Sequence, residues 1–130
     1  MDDCIFCKIA NNQVPCHKIL EDDNFMAFLD NRPFIEGHTL VVPKAHYRWV
    51  YDVPNFKEYW DFANQVTVMI KKALNPEFIT FLTMGNEVPH AHIHIIPRYS
   101  HDQLTDLFLE EFRHHPTQAE FDQTLAKIKI

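Results

Sequence analysis

Pro89-His90-Ala91-His92-Ile93-His94-Ile95-Ile96-Pro97-Arg98, "PHAHIHIIPR", is the stretch whose reading decides the fold. Its three histidines alternate with Ala91, Ile93 and Ile95, and on a β-strand residues two apart share a face. The alternation predicts a strand over 90–96 with one imidazole face and one apolar face. A strand rising about 3.3 Å per residue sets His90 and His94 roughly 13 Å apart at Cα. Zinc holds imidazole nitrogen at about 2.0–2.1 Å, so one ion can hardly take both outer histidines. The three side chains must divide their work. Three partly exposed histidines on a polar sheet face would be the bland explanation, and three in register would be an odd accident.

Working outward, "FITFLTM" (78–84) reads as a second strand, joined to the histidine strand through Gly85. "HKILED" (17–22) and "FMAFLD" (25–30) read as strands about the turn residues "EDDN", with Phe25, Ala27 and Leu29 on one face. "HTLVVP" (38–43) is a further strand, closed by Pro43. Asn55 with Glu58 three residues on has the form of a capping box. A helix follows, with Phe56, Tyr59, Trp60, Ala63, Val66, Ile70, Ala73 and Leu74 at helical spacing, until Asn75-Pro76 stops it. From Ser100 the pattern is helical again, with Leu104, Leu107, Phe108 and Phe112 on one side. Thr117-x-x-Glu120 then starts a last helix carrying Phe121, Leu125 and Ile128. Strands on either side of one long helix predict an α+β fold with an antiparallel sheet.

The chain has 130 residues, enough for one domain with a proper core. Its 46% hydrophobic and 23% charged residues are ordinary globular values. Lys plus Arg is 12 against 18 for Asp plus Glu, a net charge of -6, and no basic run occurs. Grasping nucleic acid through its phosphates is therefore not expected. No apolar run approaches a membrane span. The start, "MDDCIFCKIA", is acidic where a signal peptide would be basic, so a cytoplasmic protein is expected. Two glycines, Gly37 and Gly85, cannot supply a dinucleotide fingerprint or a P-loop, and no organic cofactor is expected. Three cysteines exclude a complete disulfide framework; Cys4-x-x-Cys7 suits metal or redox chemistry better.

"VPHAHIH" is similar to the His-φ-His-φ-His-φφ signature of the histidine triad (HIT) proteins, nucleotide hydrolases and transferases. "CIFCKI", "FMAFLDNRPFIEGHTLVVPKAHY" and "GNEVPHAHIHIIPRY" resemble family blocks in the family's order, across residues 4–99. The resemblance implies an antiparallel sheet of about five strands with one long helix packed on it. Residues 1–99 would form the HIT domain and 100–130 a helical extension of it. It also implies a catalytic set of His92, His94, His90 and His38. His92 would attack the α-phosphorus, His94 would stabilise charge on the phosphate, and His38 would stand nearby. A neutral imidazole suits the attack because its unperturbed pKa lies near 6.5.

The same resemblance assigns the nucleotide pocket. Asp30 would accept the ribose hydroxyls; Ile5, Phe6, Ile9, Phe28 and Leu40 would enclose a purine base; Asn86 would stand by the phosphates. Structural zinc would be held by Cys4, Cys7, His46 and His90, a closed two-sulfur, two-nitrogen set. Cys16 has no role in this scheme. A homodimer joining two sheets is the family's common assembly. The loop "TMGNEVPH" is shorter than the phosphate loop of many members, and a carboxylate at Glu87 would repel phosphate, so Glu87 is expected to point away. Two other functions compete: a nucleotide-binding module without turnover, and a metallohydrolase using strand histidines as zinc ligands beside an open position.

Overall fold

The computed structural model of the chain describes residues 3–100 and 113–129. Strands β1 (Lys18–Glu21), β2 (Phe25–Leu29), β3 (Thr39–Pro43), β4 (Phe78–Thr83) and β5 (Ile93–Arg98) form one sheet in the order β1-β2-β3-β5-β4. Each neighbouring pair is antiparallel. Helices α1 (Ile5–Ala10), α2 (Phe56–Leu74) and α3 (Gln118–Lys129) complete the described chain, with a short 3-10 turn, Val50–Asp52, before α2. This is the α+β arrangement expected of the sequence. The anticipated helical side of Leu104, Leu107, Phe108 and Phe112 lies outside the described residues.

Strand periodicity works on two covered faces here. Phe25, Ala27, Leu29, Val41, Ile93 and Ile95 face α2, whose Tyr59, Phe62, Ala63, Val66 and Ile70 are buried against them. The alternate residues Met26, Phe28, Leu40 and Val42 pack with Phe6 and Ile9 of α1 on the other face. Hence β2 and β3 are buried along their whole length. The sequence pattern of α2 includes Phe56, yet that ring is 46% exposed, and Phe62 takes a core position instead. Tyr59 is fully buried, stacks on Phe25 at 5.1 Å between ring centroids, and donates its hydroxyl to the Val41 carbonyl at 2.7 Å. That bond satisfies a hydroxyl the helix would otherwise bury unpaired.

The turn chemistry is local and largely as the sequence indicates. Asp22 Oδ1 accepts the amides of Asn24 and Phe25, both at 2.8 Å, which closes the β1–β2 turn. Asn75 ends α2 in the left-handed conformation, φ 51. The capping box expected at Asn55 does not form, since the Asn55 side chain makes no cap bond. The one at Thr117 does: Glu120 N–H donates to Thr117 Oγ1 at 3.2 Å, and Thr117 N–H to Glu120 Oε1 at 3.0 Å. Phe121 and Ile128 of α3 then join the main core.

Two differences matter for the site. Residues 5–10 form a helix the sequence pattern does not signal; Cys4 caps it, its Sγ accepting the Cys7 amide at 3.4 Å. The histidine strand begins at Ile93 rather than His90. His90 N–H turns back to the Val88 carbonyl at 2.8 Å, and the Ala91 amide bonds the Tyr47 carbonyl, so residues 90–92 approach the sheet without joining its ladder. Alternation still holds across the boundary, because Ala91, Ile93 and Ile95 all lie in the α2-facing core.

Candidate active site and metal centre

Leu40 of β3 pairs with His94 of β5, which brings His38, just before β3, alongside His94. Gly37 makes this entry possible: its φ is +90, and a Cβ there would collide with Leu74 and crowd Pro97. His38 is 1% exposed, and its Nδ1 accepts the Phe34 amide at 3.0 Å. That ring nitrogen is therefore unprotonated, and the proton sits on Nε2. His38 Nε2 lies 2.9 Å from His94 Nδ1, so it donates there, and the His94 proton is left on Nε2. His92 is fixed differently. Its Nδ1 lies 2.8 Å from the His90 carbonyl, which can only accept; Nδ1 carries the proton and Nε2 keeps its lone pair. Two neighbouring imidazoles thus present opposite chemistry, a donor at His94 and a lone pair at His92, with ring centroids 4.9 Å apart.

All three rings are neutral near pH 7. Burial pushes His94 down to about 3, helped by the neighbouring His92 and Arg113 charges. Burial likewise holds His38 well below its usual value, and lowers His92, where the bond to the His90 carbonyl and the Asp30 charge oppose it.

A cavity of about 420 Å³ opens on His92 and His94. Ile5, Phe6, Ile9, Phe28 and Leu40 are part of its apolar wall, with Phe34, Leu82, Met84, Val88 and Ile96; Asp30, His38 and Asn86 also line it. Phe6 sets its ring edge-on to His92 at 5.1 Å and to Phe28 at 5.8 Å. Asp30 holds its Oδ1 on the Arg32 amide at 2.9 Å, and burial raises its carboxyl above the usual value. His90 does not line this cavity; its carbonyl orients His92 while its ring turns the other way. Glu87, expected to point away, is exposed and forms part of the cavity wall. Cys16, given no role by the sequence, also stands in that wall. Arg113 lines the cavity too, and no local pattern in the sequence marks it out, because its neighbours there are distant in the chain.

Behind His92, Cys4, Cys7, His46 and His90 bring two sulfurs and two ring nitrogens within 4.8 Å of one another. Cys4 Sγ and Cys7 Sγ lie 3.3 and 3.4 Å from His90 Nδ1, and Cys7 Sγ lies 3.2 Å from His46 Nδ1. His90 Nε2 is 2.8 Å from the Pro43 carbonyl, so it carries the proton and Nδ1 turns its lone pair to the sulfurs. A ligating histidine is typically oriented by such an outer bond. This donor set fits a tetrahedral ion with no open position. Burial and the adjacent Cys4 push the Cys7 thiol up to about 11, a condition that a bound cation would reverse. Asp30, His38 and His94 form a second group within 4.8 Å, but there the His38 Nε2 proton already occupies His94 Nδ1.

The HIT domain matches residues 11–101 of this chain. An uncharacterized HIT-like protein of Methanocaldococcus jannaschii is 38% identical over 97% of this chain and 98% of its own length. The adenosine 5′-monophosphoramidase HNT1 of Saccharomyces cerevisiae is 35% identical over 73% of this chain and 62% of its own. Among solved structures, a zinc-bound histidine triad family protein from Mycobacterium smegmatis superposes with a TM-score of 0.73 at 32% identity, over 98% of this chain and 94% of that one.

Proposed function

The chain belongs to the HIT domain family, and we propose that it is a nucleotide hydrolase or transferase acting at the α-phosphate of a purine nucleotide. The observation that carries this reading is the paired tautomers in one cavity: an unprotonated His92 Nε2 beside a protonated His94 Nε2. In the proposed first step His92 Nε2 forms a bond to the α-phosphorus. The P–N or P–O bond to the leaving group breaks, and that group departs with the electron pair and takes up a proton from solvent. Water then cleaves the phosphorus–His92 bond, releasing the nucleoside monophosphate and restoring the neutral imidazole. His94 donates its Nε2 proton as a hydrogen bond to the phosphate oxygen on which charge grows, and His38 keeps His94 in the tautomer that can do so. His90 acts through its carbonyl, which holds the His92 ring. Asp30 takes the ribose hydroxyls; Ile5, Phe6, Ile9, Phe28 and Leu40 take the base; and Asn86 stands at the phosphate end.

Zinc, held by Cys4, Cys7, His46 and His90, would serve as a structural ion that ties α1 to the segment carrying His90 and His92. The zinc-bound relative from M. smegmatis supports this identity of the ion. The cysteines must stay reduced to bind it, which fits a cytoplasmic protein. We also read the chain as a homodimer. Strand β4 ends the sheet, and its Phe78 (48% exposed) and Phe81 (43%) leave apolar surface along that edge. Residues 100–130 are read as an extension of the same domain, since α3 is built into its core. Glu87 in the cavity wall favours one alternative, a nucleotide-binding module with weak turnover.

Turnover of an adenosine 5′-phosphoramidate by the natural protein and by His92→Ala, with acid quench, tests this. Loss of turnover in the variant and an adenylylated His92 peptide in the natural protein are expected. AMP binding without turnover or adduct would select the binding-module alternative.

A further inference from the structure

Arg113 stands apart from the machinery described so far. Its Nη1 lies 3.0 Å from the Arg32 carbonyl, 3.4 Å from His38 Nδ1 and 3.6 Å from Asp30 Oδ2. This is no ordinary surface pair: the Asp30 side chain is 16% exposed and that of Arg113 22%. The backbone beside it is held in place, since His114 N–H donates to the Pro33 carbonyl at 2.8 Å. Farther along, Thr124 and Lys127 of α3 bond Glu36, at 2.7 and 3.1 Å, and tie α3 to the same 31–37 loop. A guanidinium has thus been set into the wall of the nucleotide cavity from a distant part of the chain.

What it can recognise follows from the acceptors around it. Asp30 Oδ1 is taken by the Arg32 amide. Oδ2 has two neighbours, His38 Nε2 at 3.5 Å and Arg113 Nη1 at 3.6 Å, both beyond ordinary hydrogen-bond length. The His38 proton goes to His94 instead, at 2.9 Å. Oδ2 therefore keeps room for a hydroxyl donor, and a hydroxyl seated there would offer its own oxygen to Arg113. We propose that Arg113 is a specificity-determining residue which, with Asp30, clamps the ribose diol and makes the site prefer ribonucleotides to 2′-deoxyribonucleotides. The inference rests on the reading above, in which Asp30 faces ribose. Phosphate is the other chemistry a guanidinium recognises; the diol is favoured here because Arg113 Nη1 stands 3.6 Å from Asp30 Oδ2 and so shares whatever hydroxyl that carboxylate accepts, and the comparison of adenosine with AMP separates the two.

Calorimetric binding of adenosine, AMP and 2′-deoxy-AMP to the full chain decides the matter, with Arg113→Gln and Arg113→Lys as variants and urea denaturation to check that each is folded. The natural protein should bind AMP about tenfold more tightly than 2′-deoxy-AMP, the effect of roughly one hydrogen bond. In Arg113→Gln, adenosine and AMP should weaken together by about that factor while 2′-deoxy-AMP changes little, so the preference collapses; Arg113→Lys should retain part of it. An unchanged ribo-to-deoxy ratio overturns the inference alone. So does a variant in which AMP and 2′-deoxy-AMP weaken but adenosine does not, which would give Arg113 to phosphate. Failure of the natural protein to bind AMP overturns the nucleotide reading and this inference with it.

Discussion

Acid should unfold this protein through its buried histidines, and His94 offers the most direct measure. Burial first, then the His92 and Arg113 charges, hold its pKa down to about 3 in the folded chain, while an unfolded imidazole titrates near 6.5. Between those values the unfolded chain binds a proton that the folded chain refuses. The stability His94 contributes is thus fully present above about pH 6.5 and is lost as pH falls toward 3. Between about pH 7.5 and about pH 5, one such histidine removes about 2 kcal/mol. His38, held well below its usual value by the same burial, acts in the same direction, and a loss of even about 2 kcal/mol is a sizeable part of a typical domain's stability of about 5–15 kcal/mol. Asp30 works in the opposite sense, because its raised carboxyl pKa favours the folded state in acid, and it offsets part of the loss. Urea denaturation at both pH values, at one fixed zinc concentration, measures the loss in the natural protein and in His94→Gln. Glutamine cannot titrate, so the loss should shrink by about 2 kcal/mol. Equal losses in the two proteins would refute a neutral, desolvated His94. A natural protein indifferent to pH over this range would refute the whole donor chain from Phe34 through His38.

Removal of bound metal with a strong chelator should lower the melting temperature, and Cys4→Ser should lower the metal content measured by mass spectrometry from about one ion per chain toward zero. Retained metal in that variant would deny Cys4 its place. Tyr59→Phe should cost about 1–3 kcal/mol in urea denaturation, since the Val41 carbonyl loses the hydroxyl donor at 2.7 Å in a fully buried place; a loss within error would mean that water replaces the hydroxyl. Gly37→Ala should destabilise by about 2 kcal/mol or more, because it adds a Cβ at positive φ against Leu74. A neutral result there would show that the turn before His38 relaxes freely.

Much of the frame is visible in local chemistry. Alternation in "FMAFL" and "HTLVV" separates the two faces that α1 and α2 cover. Asn75-Pro76 stops α2 because a left-handed residue followed by proline cannot continue a helix. Other local signals mislead. Asn55 and Glu58 have capping-box spacing, but the Asn55 backbone, φ -93 and ψ 58, leaves its side chain without a cap bond. The histidines alternate from His90 onward, yet the ladder starts at Ile93, since the His90 amide is taken by a turn to Val88. Periodicity reports which face a side chain takes, not whether the backbone finds a strand partner. Helix α1 is too short to show a helical repeat, and its cap is a cysteine, a residue no capping rule favours.

By itself the sequence determined the α+β class, the alternation of the three histidines with core residues and, through its resemblance to the HIT proteins, which residues to watch. Each of these depends on residue types a few positions apart. The protonation pattern was completed only in the tertiary structure: His38 and His92 are set by near neighbours, Phe34 and His90, but His94 takes its donor from His38 across 56 residues and His90 its acceptor from Pro43 across 47. The same is true of Cys4, which meets His90 across 86 residues, and of Arg113, which reaches His38 across 75. A chain can encode a face through its own periodicity, but a hydrogen bond or an ion site needs atoms within about 3 Å, and only folding brings distant residues that close.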